Sequence, residues 1–270
     1  MDWEQIRLLA FDLDGTSVED GRLGECAVVA LDRFVRAGRW TVCASGRTFS
    51  VQQEIFARSG IRPQDGYPHY LIACDKFIYR LCGSEYVSEE SWNAPLRQRW
   101  SCLLPQVLAR LPHLEKALAE ARLEFVIVGD HLLHEEAGYF PLQFVDVAAA
   151  ERAMGVMAKV YSGIPDFAVN RNGPYVAATL RHAGKGETLE VICRELQVVP
   201  EEVLAVGDSF NDLSMLDGRF GYRSAAVANG EKIVQKAVRA NRGYVATRPG
   251  PAGFAEILNS ILARHSGFGV

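Results

Sequence analysis

Short apolar runs alternate with amphipathic segments along the first 74 residues. Residues 8–11 form a continuously apolar run, and similar runs follow at 40–44 and 70–74. Runs of this length are typical of parallel strands that are covered on both faces. Between them, apolar residues at helical spacing predict helices over residues 27–35 and 49–58. The pattern therefore predicts a βαβαβ order.

The alternation stops after residue 74 and resumes near residue 184. Residues 75–180 carry several helical patterns and a strong hairpin signal at Asn172-Gly173, between two apolar runs. No assignment is made for residues 92–100. A buried strand is then predicted at 203–206. We expect an α/β fold of three layers, with a doubly wound, mainly parallel sheet built from residues 1–74 and 181–270. Residues 75–180 would be an inserted α+β domain.

Composition narrows the class of protein. The 270 residues are 49% hydrophobic and carry a net charge of −4, which provides no general basic field for nucleic acid or anionic membranes. The six cysteines lack a close Cys-x-x-Cys pairing, so we expect buried thiols in a reducing compartment. The first residues are acidic and no apolar run has transmembrane length, which favours a cytoplasmic location.

Two carboxylates follow the first apolar run. Asp12 and Asp14 would project from the same side of a strand, and Gly15 indicates that the strand ends there. Open α/β sheets bind ligands at the carboxyl ends of their strands. Buried carboxylates need a partner, so the pattern indicates a bound cation. Alternatively, the two acids are loop residues that cap the next helix.

A possible phosphate site follows the second strand. Ser45, Gly46 and Arg47 lie between the predicted strand and the next helix. Amide groups at a helix N-terminus and a serine hydroxyl can bind phosphate oxygens, and an arginine can add a bidentate contact. Alternatively, Ser45 or Thr48 only caps the helix.

The last third of the chain adds a lysine and a second acid pair. Lys185 lies at a helix start, where its charge opposes the helix dipole, so we expect a negative partner; a solvated surface lysine is the alternative. Asp208, Asn211 and Asp212 follow the predicted strand 203–206.

Four parts of the sequence, taken in chain order, resemble the four motifs of the haloacid dehalogenase-like phosphohydrolases. They are Asp12-Leu13-Asp14-Gly15-Thr16, Ser45, Lys185 and Gly207-Asp208-Ser209-x-Asn211-Asp212. Ser-Gly-Arg in the second motif and the insertion before the lysine are similar to the Cof-type and sucrose-phosphatase-like branch, which carries a C2-type cap. The cap would be residues 75–180. Asp75-Lys76 stands where that branch commonly has Asn-Gly.

The resemblance implies a covalent mechanism. Asp12 would attack phosphorus and form an aspartyl phosphate, and Asp14 would act as the general acid and then the base. Lys185 and Ser45 would stabilise the negative charge on the transferring oxygens.

The resemblance also implies Mg²⁺ as the cofactor. Asp12 and Asp208 would bind it through carboxylates and Asp14 through its main-chain carbonyl. Asp212 would bind the metal or support its ligands, and Asn211 would help to hold the phosphate or the neighbouring lysine.

We therefore expect a phosphatase that acts on a sugar phosphate or a similar small metabolite. A sugar phosphomutase of the same superfamily is the alternative, and a phospho-receiver or a binding protein fits less well. Lys76 could contact a second anionic group of the substrate, or it could be a solvated hinge residue. Both a monomer and a homodimer remain open.

Overall fold

The computed structural model describes residues 5–130, 134 and 136–262. It divides into two compact units. The first unit comprises the chain up to Glu89 and from Lys185 onward, and the second is Glu90–Gly184.

The strands are β1 (Leu8–Phe11), β2 (Val18–Glu19), β3 (Arg22–Leu23), β4 (Trp40–Ala44), β5 (Tyr70–Ala73), β6 (Phe77–Cys82), β7 (Glu85–Ser88), β8 (Phe125–Ile127), β9 (Tyr139–Phe144), β10 (Phe167–Asn172), β11 (Tyr175–Leu180), β12 (Val203–Gly207), β13 (Arg223–Ala226) and β14 (Tyr244–Val245). The helices are α1 (Glu25–Arg36), α2 (Phe49–Arg58), α3 (Glu90–Ala109), α4 (Leu111–Glu120), α5 (Val147–Val160), α6 (Lys185–Leu196), α7 (Leu213–Leu216), α8 (Lys232–Ala240) and α9 (Gly250–Leu262).

The first unit is built on an eight-stranded sheet of order β14-β13-β12-β1-β4-β5-β6-β7. The strands from β14 to β5 are parallel, and β6 and β7 add an antiparallel hairpin at one edge. This confirms the predicted α/β fold with a mainly parallel sheet. Ala10 of β1 lies between Ala205 of β12 and Val42 of β4. Because these neighbours are in register, the carboxyl ends of all three strands lie at one edge of the sheet.

Apolar packing explains the central place of β1. Each of its four residues is buried. Phe11 packs against Phe254 of α9, with 5.3 Å between the ring centroids. Helix α1 buries one apolar face and packs against α9. A strand covered in this way carries no polar side chain until it ends, which is why the first charged group after residue 7 is Asp12.

The second unit has its own sheet and core. Its four strands are antiparallel, in the order β10-β11-β9-β8. Helix α5 begins after Asp146, whose Oδ1 accepts a hydrogen bond of 2.7 Å from the Ala149 amide. Trp100 is buried in this core, and its indole nitrogen donates to the carbonyl oxygen of His134 over 2.7 Å.

The structure differs from the sequence prediction at the edges of the insertion. The insertion was predicted over residues 75–180, but the hairpin β6–β7 pairs with β5 and extends the sheet of the first unit. The second unit therefore begins at Glu90 and ends at Gly184. The unassigned residues 92–100 lie inside α3, and β9 was not predicted.

The cysteines also differ from expectation. All six are free thiols, but Cys26, Cys82 and Cys102 are exposed, and only the other three are buried. Among the described residues, the helices lack an apolar stretch that could cross a lipid bilayer.

Candidate active site

Three strand ends and one helix start bring the candidate residues of the first unit together. Asp12 follows β1, Ser45 follows β4 and Asp208 follows β12, while Lys185 is the first residue of α6. All four are buried. Their positions agree with the rule that open α/β sheets place ligand-binding groups at the carboxyl ends of parallel strands.

Lys185 lies between two carboxylates. Its Nζ is 2.7 Å from Asp12 Oδ1 and 2.6 Å from Asp212 Oδ1, and the lysine side chain is completely buried. The alternative of a solvated surface lysine is therefore wrong. We call Asp12, Asp208, Asp212 and Lys185 the buried cluster.

Asp212 supports its neighbours through both carboxylate oxygens. Oδ1 accepts from Lys185, and Oδ2 accepts from the main-chain amides of Asp208 and Ser209, each over 2.9 Å. These contacts fix the turn that carries Asp208.

Asp208 is held by hydrogen bonding and by a close approach of the main chain. The Thr16 hydroxyl donates to Asp208 Oδ1 over 2.7 Å, although 192 residues separate the two in sequence. Gly15 has a φ of +78°, and a Cβ atom there would lie 2.5 Å from Asp208 Oδ2. Only glycine allows this approach without displacing the carboxylate.

The buried cluster has an excess of negative charge, with three carboxylates and one ammonium group. Burial raises the pKa of Asp12 well above its usual value, against the attraction of Lys185. Burial and the charge of Asp212 raise the pKa of Asp208 to about 7, although the bond from Thr16 opposes this. Burial alone would lower the pKa of Lys185, but Asp12 and Asp212 outweigh it and raise that pKa well above its usual value.

This charge excess fits a divalent cation. One carboxylate oxygen from each of Asp12, Asp208 and Asp212 lies within 4.8 Å of the other two. An all-oxygen donor set suits Mg²⁺, and a cation would offset the penalty of burying several carboxylates.

Asp14 and Arg47 form a second, more exposed arrangement, which we call the outer ion pair. Arg47 binds the Asp14 carboxylate in a bidentate manner, with Nε to Oδ2 at 2.8 Å and Nη2 to Oδ1 at 3.0 Å. Their side chains are 37% exposed for Asp14 and 53% for Arg47, so solvent reaches both. The sequence suggests that Arg47 contacts substrate, and this stays a prediction; in the structure its guanidinium binds Asp14.

Ser45 retains an available hydroxyl proton. Its Oγ accepts a hydrogen bond of 3.2 Å from the Arg47 amide, and among the described residues it donates none. Thr48 occupies the N-cap position of α2 without a side-chain capping bond. The alternative that Ser45 or Thr48 only caps this helix is therefore wrong.

Asp75 and Asn211 meet beside Lys185. The Asn211 amide nitrogen donates to Asp75 Oδ1 over 3.1 Å, and the same oxygen lies 3.8 Å from Lys185 Nζ. Lys76 is buried, 1% exposed, with its Nζ 5.8 Å from the centre of the Phe77 ring. Burial lowers the pKa of Lys76, while Cys74 and Asp75 oppose the shift. Lys76 is therefore not a solvated hinge lysine.

Sequence reasoning missed several supporting contacts. It gave no role to Thr16, to Ser17, whose hydroxyl donates to the Asp12 carbonyl over 2.7 Å, or to Asp75. A signal for the first two was present, because they directly follow the acid motif. Asp75 differed from the pattern of the resembled branch, and the structure shows that this difference lies beside Lys185.

Comparisons with known proteins agree with this geometry. A family model for haloacid dehalogenase-like hydrolases matches residues 136–245. The chain is 25% identical over 268 residues to a phosphoglycolate phosphatase from Pyrobaculum islandicum, which covers 96% of this chain and 97% of that protein.

Solved structures share the fold. The chain is similar to the sucrose-phosphatase of Synechocystis sp., solved with sucrose and phosphate, with a TM-score of 0.71, 19% identity and coverage of 96% of this chain and 98% of that one. A haloacid dehalogenase-like hydrolase from B. subtilis gives a TM-score of 0.65 at 16% identity, covering 94% and 99% of the two chains.

Proposed function

We propose that the chain is a phosphatase of the haloacid dehalogenase-like hydrolases and that it hydrolyses small phosphate monoesters through an aspartyl phosphate on Asp12. The observation that carries this proposal is the buried cluster. It holds a carboxylate, Asp12, against an ammonium group at 2.7 Å, with Asp208 at the adjacent strand end.

Asp12 has the properties of a positioned nucleophile. Its main chain is fixed by two hydrogen bonds: the Asp12 amide donates to the Val206 carbonyl, and the Ser17 hydroxyl donates to the Asp12 carbonyl. Lys185 contacts only one of its carboxylate oxygens, which leaves Oδ2 for attack on phosphorus. An ionised carboxylate needs no deprotonation before it attacks. The P–O bond to the leaving group then breaks as the Asp12–phosphorus bond forms.

Lys185 and Ser45 stabilise the negative charge that develops on the phosphoryl oxygens. The ammonium has three donors, and Asp12 and Asp212 take two of them. The remaining Lys185 donor and the available Ser45 proton would bind two phosphoryl oxygens.

Asp12, Asp208 and the main-chain carbonyl of Asp14 would hold Mg²⁺. When bound, the ion supplies positive charge between the nucleophile and the phosphate, which repel each other. Asp212 has both oxygens engaged by protein donors, so we assign it to positioning Lys185 and Asp208.

Asp14 moves the protons. It would protonate the oxygen of the leaving alcohol and then accept a proton from the water that attacks the aspartyl phosphate. In the structure, Arg47 occupies both oxygens of the Asp14 carboxylate. Proton donation therefore requires Asp14 to separate from Arg47, and the exposure of both side chains permits this.

A sugar phosphate or a similarly small phosphorylated metabolite fits this site. The residues described above all address the phosphoryl group, so another surface must recognise the leaving group. Residues 90–184 are our candidate for a substrate-selecting cap. The Synechocystis protein was solved with sucrose and phosphate, and the relatives from Pyrobaculum islandicum and Methanoculleus marisnigri are phosphoglycolate phosphatases, which agrees with a small substrate.

The test is phosphate release from an aryl phosphate and from a panel of sugar phosphates, with Mg²⁺ and with excess EDTA. We expect activity only with the metal. Asp12→Asn should lower kcat by at least about 1,000-fold, because an amide is a poor nucleophile and a weaker metal ligand.

Asp32→Asn is a matched control, since it changes the same group on α1, outside the site. Turnover by Asp12→Asn close to that of Asp32→Asn would rule out the covalent mechanism. Full activity in EDTA would rule out the metal.

A further inference from the structure

The turn between β5 and β6 is held in an unusual backbone conformation. Cys74 and Asp75 have φ values of +51° and +65°, a region that residues other than glycine seldom adopt. The Lys76 amide closes the turn on the Ala73 carbonyl over 3.0 Å. Strained backbone of this kind is often found at functional sites.

Two hydrogen bonds attach this turn to the loop that carries the proposed phosphate site. The Cys74 amide donates to the Arg47 carbonyl over 2.9 Å, and the Asp75 amide donates to the Ser45 carbonyl over 3.0 Å. Asp75 therefore has a fixed position relative to Ser45.

The Asp75 side chain meets Lys185, which we assign to phosphate binding, and Asn211, which the resemblance assigns to the phosphate or to that lysine. Its Oδ1 accepts from the Asn211 amide and lies 3.8 Å from Lys185 Nζ, and the carboxylate is only 15% exposed. At 3.8 Å there is an electrostatic attraction to Lys185 but no hydrogen bond.

This contact also orients the Asn211 side chain. Because a carboxylate can only accept, the Asn211 nitrogen faces Asp75, and the carbonyl Oδ1 of Asn211 is buried without a hydrogen-bond partner among the described residues. Asn211 itself is 5% exposed. An amide held in this way presents an acceptor, whereas phosphate oxygens need a donor.

We infer that Asp75 is a positioning residue that weakens the retention of phosphate, because its charge offsets part of the Lys185 charge and its carboxylate holds the Asn211 donor. This inference rests on the proposed function. Inorganic phosphate is both the product and the simplest ligand of that site, so Asp75 would favour product release at the expense of phosphate affinity.

The experiment compares the binding of inorganic phosphate, in the presence of Mg²⁺, by the full chain and its Asp75→Asn variant. Asparagine has the same shape and tolerates a positive φ, so the turn should persist. We expect the Kd for phosphate from calorimetric titration to fall by about tenfold, because one negative charge leaves the vicinity of the bound anion. The inhibition constant of phosphate against aryl phosphate hydrolysis should fall in parallel.

Asp75→Gly is the second variant, since glycine adopts this φ without strain and lacks the carboxylate. Asp32→Asn controls for the change in net charge, and its phosphate affinity should equal that of the unmodified chain. If phosphate affinity is unchanged or weaker in both Asp75 variants, the inference is overturned.

The two proposals fail in different ways. If the protein releases no phosphate from any ester but its Asp75→Asn variant binds phosphate more tightly, the proposed hydrolysis is refuted and the role of Asp75 is retained. Normal hydrolysis with unchanged phosphate affinity in the variants would refute only the role of Asp75.

Discussion

The buried cluster and the outer ion pair contain the same types of group but in opposite environments. In the buried cluster, Lys185 is fully enclosed and contacts two carboxylates that are at most 5% exposed. In the outer ion pair, Arg47 and Asp14 form an equally short contact at the surface. The buried cluster and the outer ion pair both lie at the carboxyl ends of neighbouring strands. These strands are β1 and the two beside it, β4 and β12.

The difference indicates a division of work. Removing one partner from a buried ion pair leaves an uncompensated charge, so the buried cluster is fixed in the folded protein. An exposed ion pair contributes little to stability, and its two side chains readily replace their mutual contact with contacts to water. Under the proposed mechanism, the groups that would hold a phosphoryl group therefore lie inside, and the group that would gain and lose a proton lies outside.

The strongest test of this division is Lys185→Met, which keeps the length of the side chain and removes its charge. We expect kcat to fall about 100- to 1,000-fold and the free energy of unfolding to fall by about 3–5 kcal/mol, because Asp12 and Asp212 lose the buried ammonium group that contacts both. Chemical denaturation and phosphate release would measure the two effects. Lys236→Met, which removes an exposed lysine of α8, should change neither. Equal stability of the two variants would show that the buried cluster contributes no more to stability than an exposed lysine does.

Thr16→Val tests the support of the buried cluster with a smaller effect. Valine has nearly the same shape but cannot donate to Asp208 Oδ1. Since such outer contacts orient metal ligands, we expect the Kd for Mg²⁺ to rise about tenfold, with a smaller change in kcat at saturating metal. Thr41→Val, at a buried threonine of β4, is the control. An unchanged Kd for Mg²⁺ would count against Asp208 as a ligand of the metal.

Arg47→Gln should have the smallest effect. We expect the free energy of unfolding to change by less than about 1 kcal/mol, because the outer ion pair is exposed. The rate should fall about tenfold, since Asp14 loses the partner that positions it before the two separate for proton transfer. Arg47→Lys keeps the charge without the planar fork, so it should recover part of the rate. A stability loss as large as that of Lys185→Met would show that the two arrangements do not differ.

The fold could be predicted where the burial of an element determines its hydrophobic pattern. Strands β1, β4 and β12 are buried on both faces, so their apolar runs identified them directly. In the second unit the pattern was weaker. Helix α3 contains Pro95 and Pro105, which interrupt the usual helical signal. In the first unit, the sequence of the β6–β7 hairpin gave no sign of the sheet that it joins.

The candidate site could be predicted only in part, for a related reason. Residue type and position at a strand end selected Asp12 and Asp208, because the parallel sheet brings strand ends together. Lys185 was selected by its position at a helix start, where its charge opposes the helix dipole. The partner of each group depends on tertiary contacts. The bond from Thr16 to Asp208 and the contact of Arg47 with Asp14 join residues that are distant in sequence, and no local pattern records them.

Gly15 shows that atomic volume also constrains this chemistry. The main chain passes so close to Asp208 that even a methyl group would overlap its carboxylate oxygen. A residue with no functional group thus decides whether two strand ends can approach each other. A redesign that kept every charged side chain but placed alanine at this position would retain all the reacting groups and lose the space in which they meet.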